Sequence, residues 1–285
     1  MIVITGATGQ LGRLVIAALL KKVPASKLVA AVRDIDKAKD IAALGVSVRY
    51  ADYNQPASWD GALKGAEKVL LISSSEVGRR AQQHQTVIDA AKRAGVSQLA
   101  YTSILHADTS TLMLAQEHQA TEAAILASGL PYAIQRNGWY TENYIPGIAT
   151  AQSLGAVYGA AKEGRISAAS REDYANAAAE VLSSAQQSNK IYELAGDAAF
   201  TMAEYAAVIS TLFGKAIPYV NLSQESYQNA LVGAGLPEPF AAILADADAG
   251  IAKGQLFDEG RQLSKLIGRP TTTLESVIGK ALEAI

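Results

Sequence analysis

The 285-residue chain contains no cysteine. That excludes disulfides, thiolate metal sites and cysteine nucleophiles together, and it fits a reducing, cytoplasmic setting. Histidine is nearly as scarce. His84, His106 and His118 are scattered along the chain, and without cysteine they argue against a structural or catalytic metal. Neither sign of charge dominates: 25 Lys plus Arg against 27 Asp plus Glu leave a net charge of −2, so nothing favours nucleic acid or an anionic membrane as partner. No apolar run approaches the ~18 residues of a spanning helix, and Met1 leads directly into a strand-like run without a charged leader. Internal repeats and low-complexity segments are also missing. A soluble cytoplasmic protein is the expectation.

What is present starts at the amino end. Ile2-Val3-Ile4-Thr5 is β-branched throughout, as suits a strand buried on both faces. It runs straight into Gly6-Ala7-Thr8-Gly9-Gln10-Leu11-Gly12, three glycines spaced three apart. From Leu11 onward Leu14, Val15, Ala18 and Leu19 follow helical spacing. Strand, glycine turn and helix N-terminus together make an anion site, because free backbone N–H groups and the helix dipole both favour a pyrophosphate. Gly6 permits the tight turn, Gly9 lets the backbone approach the phosphates, and Gly12 lets helix and strand pack closely. An ordinary tight turn has the same glycines. The apolar strand that follows near residue 28 tips the reading to dinucleotide binding.

Further apolar runs at Leu28–Val32, Val46–Arg49, Val69–Ile72, Leu99–Thr102 and Tyr132–Gln135 read as successive strands. Helical patterns fall between them at Asp36–Leu44, Trp59–Leu63, Arg79–Ala94 and Leu114–Ser128, and Gly45, Gly95 and Gly129 follow as C-terminal caps. This alternation implies an α/β fold, a doubly wound parallel sheet of the Rossmann type. The rhythm changes near residue 145, where Pro146, Gly147, Gly155, Gly159 and Gly164 suggest loop. A helix at Arg171–Ser183 and a strand at Lys190–Leu194 follow. The expected division is a dinucleotide-binding domain over 1–150, rejoined by about 165–196, and a smaller helical lobe from 151–164 and 197–285 that covers a substrate. Tyr205, Leu212, Leu231, Leu236, Phe240, Ile243 and Leu244 supply that lobe's apolar faces.

Candidate contacts gather at strand ends. Arg33 lies 21 positions beyond Gly12, where a dinucleotide fold reads the ribose edge. A guanidinium there forks onto a 2′-phosphate and favours NADPH over NADH, whereas the carboxylate of Asp34 would suit a 2′-hydroxyl. Asp52 is placed to accept from an adenine amino group or, equally, to cap the turn at Asn54. Ser73, Ser74 and Ser75 would meet phosphates or ribose, or merely form loop. His118 and Glu122, four apart on one helical face, read either as a proton-handling pair or as a solvated face. After the sixth strand, Asn137-Gly138-Trp139-Tyr140-Thr141-Glu142-Asn143-Tyr144 combines amide, hydroxyl and aromatic groups. It would hold a flat aromatic ligand above a nicotinamide, or plug two lobes together.

Taken together, Gly6–Gly12, Arg33, Ser73–Ser75 and Arg136–Tyr144 resemble the NmrA-like branch of the atypical short-chain dehydrogenases, along essentially the whole chain. The likeness is nearest to its quinone-reducing bacterial members. Triphenylmethane reductases are more distant, since their segment differs from Ile72–Gly78. The resemblance implies a bilobal NADPH-binding reductase with no flavin, NADH serving less well. It implies cofactor contacts from Gly6, Ala7, Thr8, Gly9, Gln10, Leu11, Gly12, Arg33, Asp52, Ser73, Ser74, Ser75 and Asn137–Glu142. A quinone between the lobes would be oriented by Asn137, Tyr140 and Tyr144, with His118 as a proton source. Ketone-reducing relatives use a Tyr-x-x-x-Lys pair, and here the comparable helix carries His118-Gln-Ala-Thr-Glu122. A quinone needs no such acid, because hydride transfer leaves an aromatic phenolate. A regulator that senses NADP(H) without turnover, or a reductase of dyes, fits the same absence. An oligomer is expected by analogy alone.

Overall fold

Ile2–Ile4 forms β1, a β-branched run buried throughout. The computed structural model of the chain describes residues 1–184 and 187–283. After β1 come α1 Gln10–Leu20, β2 Leu28–Val32, α2 Lys39–Ala43, β3 Ser47–Tyr50, α3 Ser58–Ala62 and β4 Lys68–Leu71. Then follow α4 Arg80–Ala94, β5 Gln98–Ile104, α5 Ala115–Ser128, β6 Tyr132–Asn137, α6 Gly147–Leu154, β7 Val157–Gly159 and β8 Arg165–Ile166. The rest is α7 Arg171–Ser183, β9 Lys190–Leu194, β10 Phe200–Thr201, α8 Met202–Phe213, β11 Tyr219–Asn221, α9 Gln224–Gly233, α10 Glu238–Ile251, α11 Gln262–Ile267 and α12 Leu274–Glu283.

Seven strands form one sheet in the order β3-β2-β1-β4-β5-β6-β9. β1 pairs in parallel with β2 on one side and β4 on the other, through Val3 opposite Val29 and Val69. The chain therefore reverses its direction of travel across the sheet between β1 and β4. Right-handed crossovers put helices on both faces, and the crevice at that reversal is where such sheets receive ligands. Burial on both faces explains the unbroken apolar runs: Leu28–Val32 is buried at every residue. β3, at the edge, is the exception, with Ser47 and Tyr50 exposed.

The chain divides into two compact units. The first takes Met1–Ala107, Glu117–Asn137 and Arg171–Tyr192; the second takes Asp108–Gln116, Gly138–Ser170 and the chain from Glu193 onward. The expected segments 165–196 and 197–285 run through 185–186 and 284–285, which lie outside the described residues. In the first unit Val3, Val29, Leu71, Leu99, Tyr101 and Ile134 meet Trp59, Val87, Ile88 and Ile125 in one core. On α1, Val15, Ile16 and Leu19 are fully buried, and α1 packs against α7.

The second unit carries the pairs β7–β11, parallel, and β8–β10, antiparallel. Two expectations change there. The stretch 146–164 is not simply loop: Pro146 takes the N-cap of α6 and Gly155 ends it at φ +74, so both residues punctuate a helix. Of the residues expected to supply apolar faces, Tyr205 is buried, whereas Leu212 and Phe240 are exposed. The seam of α10 is instead Ala241, Ala245, Asp248 and Gly250. Small residues line it because the packing is close. A Cβ on Gly250 would come within 2.2 Å of the Leu112 side chain. Among the described residues, no helix is long and apolar enough to cross a membrane.

Candidate functional site

The glycine turn sits at the carboxyl end of β1, beside the reversal point. Gly6 has φ +56, a left-handed conformation that glycine adopts without strain. Gly9 N–H donates to Gly6 C=O at 2.9 Å and Arg13 N–H to Gly9 C=O at 3.1 Å, which starts α1. No side chain caps that start and no acidic residue lies in its first turn. The first amides of the helix keep their dipole unopposed, as an anion site requires. A Cβ on Gly12 would lie 2.4 Å from Gly6 O and 2.8 Å from Ala7 Cα, so no side chain fits. Thr5 holds the neighbouring strand end, its Oγ1 accepting from Ile72 N–H and from the Tyr53 hydroxyl, each at 3.0 Å.

Arg33 follows β2 directly and its side chain is 67% exposed. Asp34 already has one carboxylate oxygen engaged. Its Oδ1 accepts from Asp36 N–H at 3.0 Å and Lys37 N–H at 3.4 Å, capping the next turn. Arg13 fastens that turn to the glycine loop, donating to Lys37 C=O at 2.8 Å, to Thr8 C=O at 3.1 Å and to the Asp40 carboxylate. Asp52 does cap its turn, Oδ1 accepting from Asn54 N–H at 2.9 Å.

Beyond β4, Ser74 is gripped at every polar group it has. Its N–H donates to His84 Nε2 at 2.9 Å, its hydroxyl to Gln83 Oε1 at 2.5 Å, and its carbonyl accepts from Arg80 Nε. Ser73 N–H donates to Thr102 Oγ1 at 2.9 Å. Ser73 is half-buried, Ser74 buried and Ser75 exposed. Glu117 closes the loop by accepting from Gly78 N–H at 3.0 Å and Arg80 N–H at 2.9 Å, capping α4.

His118 and Glu122 are both buried and do not form a pair. His118 Nδ1 lies 2.7 Å from the Tyr101 hydroxyl. Glu122 accepts from Ser103 Oγ at 2.5 Å and takes a forked Arg136, with Nε–Oε1 at 3.0 Å and Nη2–Oε2 at 2.7 Å. The solvated-face reading is wrong, because both side chains lie between helix and sheet. Burial, then the nearby Arg80 charge, lowers the His118 pKa to about 3. Burial therefore favours the neutral imidazole of His118, with its Nδ1 beside the Tyr101 hydroxyl. Asn137 is buried at the end of β6 with its Oδ1 lacking a protein partner.

Within the second unit, Gly138 N–H donates to Leu194 C=O at 2.7 Å and Thr141 N–H to Ala169 C=O at 3.0 Å. Trp139, Tyr140 and Glu142 are half-buried, and Thr141–Tyr144 makes one 3₁₀ turn. The Tyr144 hydroxyl is turned inward and lacks a partner, its ring 5.3 Å from Tyr205 and 5.6 Å from Phe200. Its ring thus packs among aromatic neighbours while its hydroxyl is left without a protein partner.

The family described as NAD(P)H-binding matches residues 6–185. The chain belongs to the NAD(P)H-binding family. Quinone oxidoreductase 2 of Escherichia coli (strain K12) is 55% identical over 278 residues, 97% of each protein. The crystal structure of the NADPH-dependent quinone oxidoreductase from Escherichia coli, complexed with NADPH, has a TM-score of 0.97 at 53% identity. That match covers 99% of this chain and 100% of the other. Citrobacter sp. triphenylmethane reductase complexed with NADP(H) has a TM-score of 0.95 at 41% identity, covering 99% and 100%.

The cradle of this NAD(P)H-binding chain rests on residues that spacing alone did not single out. Arg13, His84, Gln83, Arg80 and Glu117 belong to helices, and their partners lie on other segments, from 5 to 39 positions away. No local pattern marks them. His84 Nδ1 also lies 2.9 Å from Thr121 Oγ1, and burial lowers its pKa to about 3. Two neutral buried histidines make stability depend on pH. The unfolded chain protonates first, at about 6.5, so stability is whole above that pH and declines below it, until the folded histidines protonate near 3. Between pH 7 and pH 5 the two together are expected to remove roughly 4 kcal/mol. Urea midpoints at the two pH values check this, and His84→Gln should remove about half of the drop. An undiminished drop in that variant would assign the pH dependence elsewhere.

Proposed function

We propose that this chain is an NADPH-dependent quinone reductase in which a hydride passes from the nicotinamide directly to a bound quinone. The observation that carries the reading is the turn Gly6–Gly12, a cradle that Cβ atoms would fill, opening on an uncapped helix start. Its amides hold the diphosphate. Arg33, whose neighbour Asp34 is occupied in its own turn, takes the 2′-phosphate and so favours NADPH. Ser73 and Ser75 supply hydroxyls to the same ligand. The unpaired Oδ1 of Asn137 suits the N–H of a carboxamide, and Tyr140 with Trp139 supplies flat faces for an aromatic acceptor. When bound, the nicotinamide supplies the hydride, and these residues supply position.

The acceptor is argued from relatives and from what the chain withholds. The relative at 55% identity is named for quinone reduction. Where ketone chemistry needs an acid, this helix offers a neutral His118 and a Glu122 locked to Arg136. A hydroquinone anion takes its proton from water. The triphenylmethane reductase at 41% identity keeps a second reading alive, in which the acceptor is a cationic dye. Mixing the protein with NADPH and a simple benzoquinone, and following the nicotinamide band, tests the first reading. Oxidation should far exceed the protein-free rate, and oxidation at the protein-free rate would end the proposal. Faster turnover of a triphenylmethane dye than of any quinone would favour the second. In the same assay Arg33→Ala should raise the NADPH KM roughly 10- to 100-fold, as expected for loss of one charge-assisted contact. The NADH KM should stay within about twofold, and equal losses would remove Arg33 from the phosphate.

A further inference from the structure

Arg33 has an anionic neighbour that the cofactor reading does not use. Its Nη1 lies 3.4 Å from Glu76 Oε1. Exposed ion pairs of this kind add little to folding, so the pair is better judged by what holds each partner. Arg33 is a long side chain at a strand end. Glu76 is fixed from its own loop. Its Oε2 accepts from Gln83 Nε2 at 2.9 Å and lies 3.5 Å from Arg79 Nη1, and its N–H donates to Ser74 Oγ at 3.2 Å. Gln83 is buried, and its amide is oriented because Oε1 already accepts the Ser74 hydroxyl. The carboxylate therefore stays where it is whether or not Arg33 meets it.

Whatever reaches Arg33 also reaches that fixed charge. A 2′-phosphate gains the guanidinium but is repelled by the carboxylate and must displace it from Arg33. A 2′-hydroxyl finds in the same carboxylate an acceptor. Both effects act in one direction. Resting on the reading of Arg33 as the phosphate-binding group, we propose that Glu76 sets cofactor specificity by restraining the preference for NADPH over NADH. The other charges around the pair are Arg79, the capping Asp34 and Lys37, whose Nζ lies 3.9 Å from Asp34 Oδ2. None of these carboxylates or cations contacts Glu76 except Arg79.

Calorimetric titration of the full chain with NADPH and with NADH gives the NADPH-over-NADH preference, the NADH dissociation constant divided by that for NADPH, without any turnover. Glu76→Gln keeps an acceptor for Gln83 and removes the charge. It should raise the NADPH-over-NADH ratio roughly threefold to tenfold at low salt, and less at high salt. Glu76→Ala should move the ratio the same way, which covers a failure of the first variant to fold. With Arg33→Ala in the background the gain should shrink but persist, because no guanidinium remains to be displaced while the direct repulsion of the phosphate is still relieved. If Arg33→Ala lowers the ratio while neither Glu76 variant raises it, the proposal fails and the phosphate reading stands. If Arg33→Ala leaves the ratio unchanged, the phosphate reading fails and the proposal falls with it.

Discussion

Gly12→Val is expected to lower NADPH affinity at least about 100-fold, the equivalent of roughly 3 kcal/mol. The first carbon of the new side chain would stand 2.4 Å from Gly6 O, 2.8 Å from Ala7 Cα and 3.0 Å from Ala7 C. All three are backbone atoms of the turn, so no rotamer change relieves the overlap. Nor can α1 simply slide away, because Val15, Ile16 and Leu19 are fully buried and the helix is packed on α7. The turn must open, and with it the set of amides that faces the diphosphate. Overpacking of this kind also costs about 1–3 kcal/mol in stability. Calorimetry for NADPH and a urea melt separate the two losses. At Gly9 the added carbon would meet only Gly6 O, at 3.1 Å. Gly9→Ala should therefore keep most of the stability. Affinity within about threefold of the parent in Gly12→Val would show that the turn does not hold the phosphates.

Glu122→Ala is expected to destabilise the folded chain by about 3–5 kcal/mol, because it strands a buried guanidinium. The Arg136 and Glu122 side chains are only 7% and 8% exposed. Glu122 also receives the Ser103 hydroxyl, so its loss leaves donors from two strands unmatched. The double replacement Glu122→Leu with Arg136→Met should recover most of that loss, since no uncompensated charge remains. Urea unfolding measures both, and a single variant within about 1 kcal/mol of the parent would mean that the Glu122–Arg136 pair contributes little to the fold. Asn137 follows Arg136 directly, so the double variant also asks whether the pair positions the end of β6. A fold restored with weakened NADPH binding would say that it does.

Much of the first unit was legible because its signals are local. β2 spans Leu28–Val32 and α7 spans Arg171–Ser183, as their apolar patterns predict. The 2.0 and 3.6 residue periods report burial within one element. The glycines before α1 report backbone geometry, which a few neighbouring residues decide. Charge and polarity were harder. His118 and Glu122 have the spacing of a pair, yet each bonds to a different strand residue, Tyr101 and Arg136. Asp34, the neighbour of Arg33, caps a turn through one carboxylate oxygen, which its place in the sequence does not announce. Helix spacing says which residues share a face. It does not say what lies against that face.

Alone, the order of residues determined the alternation of strands and helices and the glycine turn that opens α1. Each depends on contacts or conformations among a few neighbouring residues. Only tertiary structure decided that Ser74 is held at its N–H, hydroxyl and carbonyl, that His118 is buried against Tyr101, and that Glu76 stands beside Arg33. Those outcomes depend on burial and on segments some 10 to 43 positions apart meeting in space. Desolvation and long-range pairing are properties of the packed chain, and no run of residues carries them by itself.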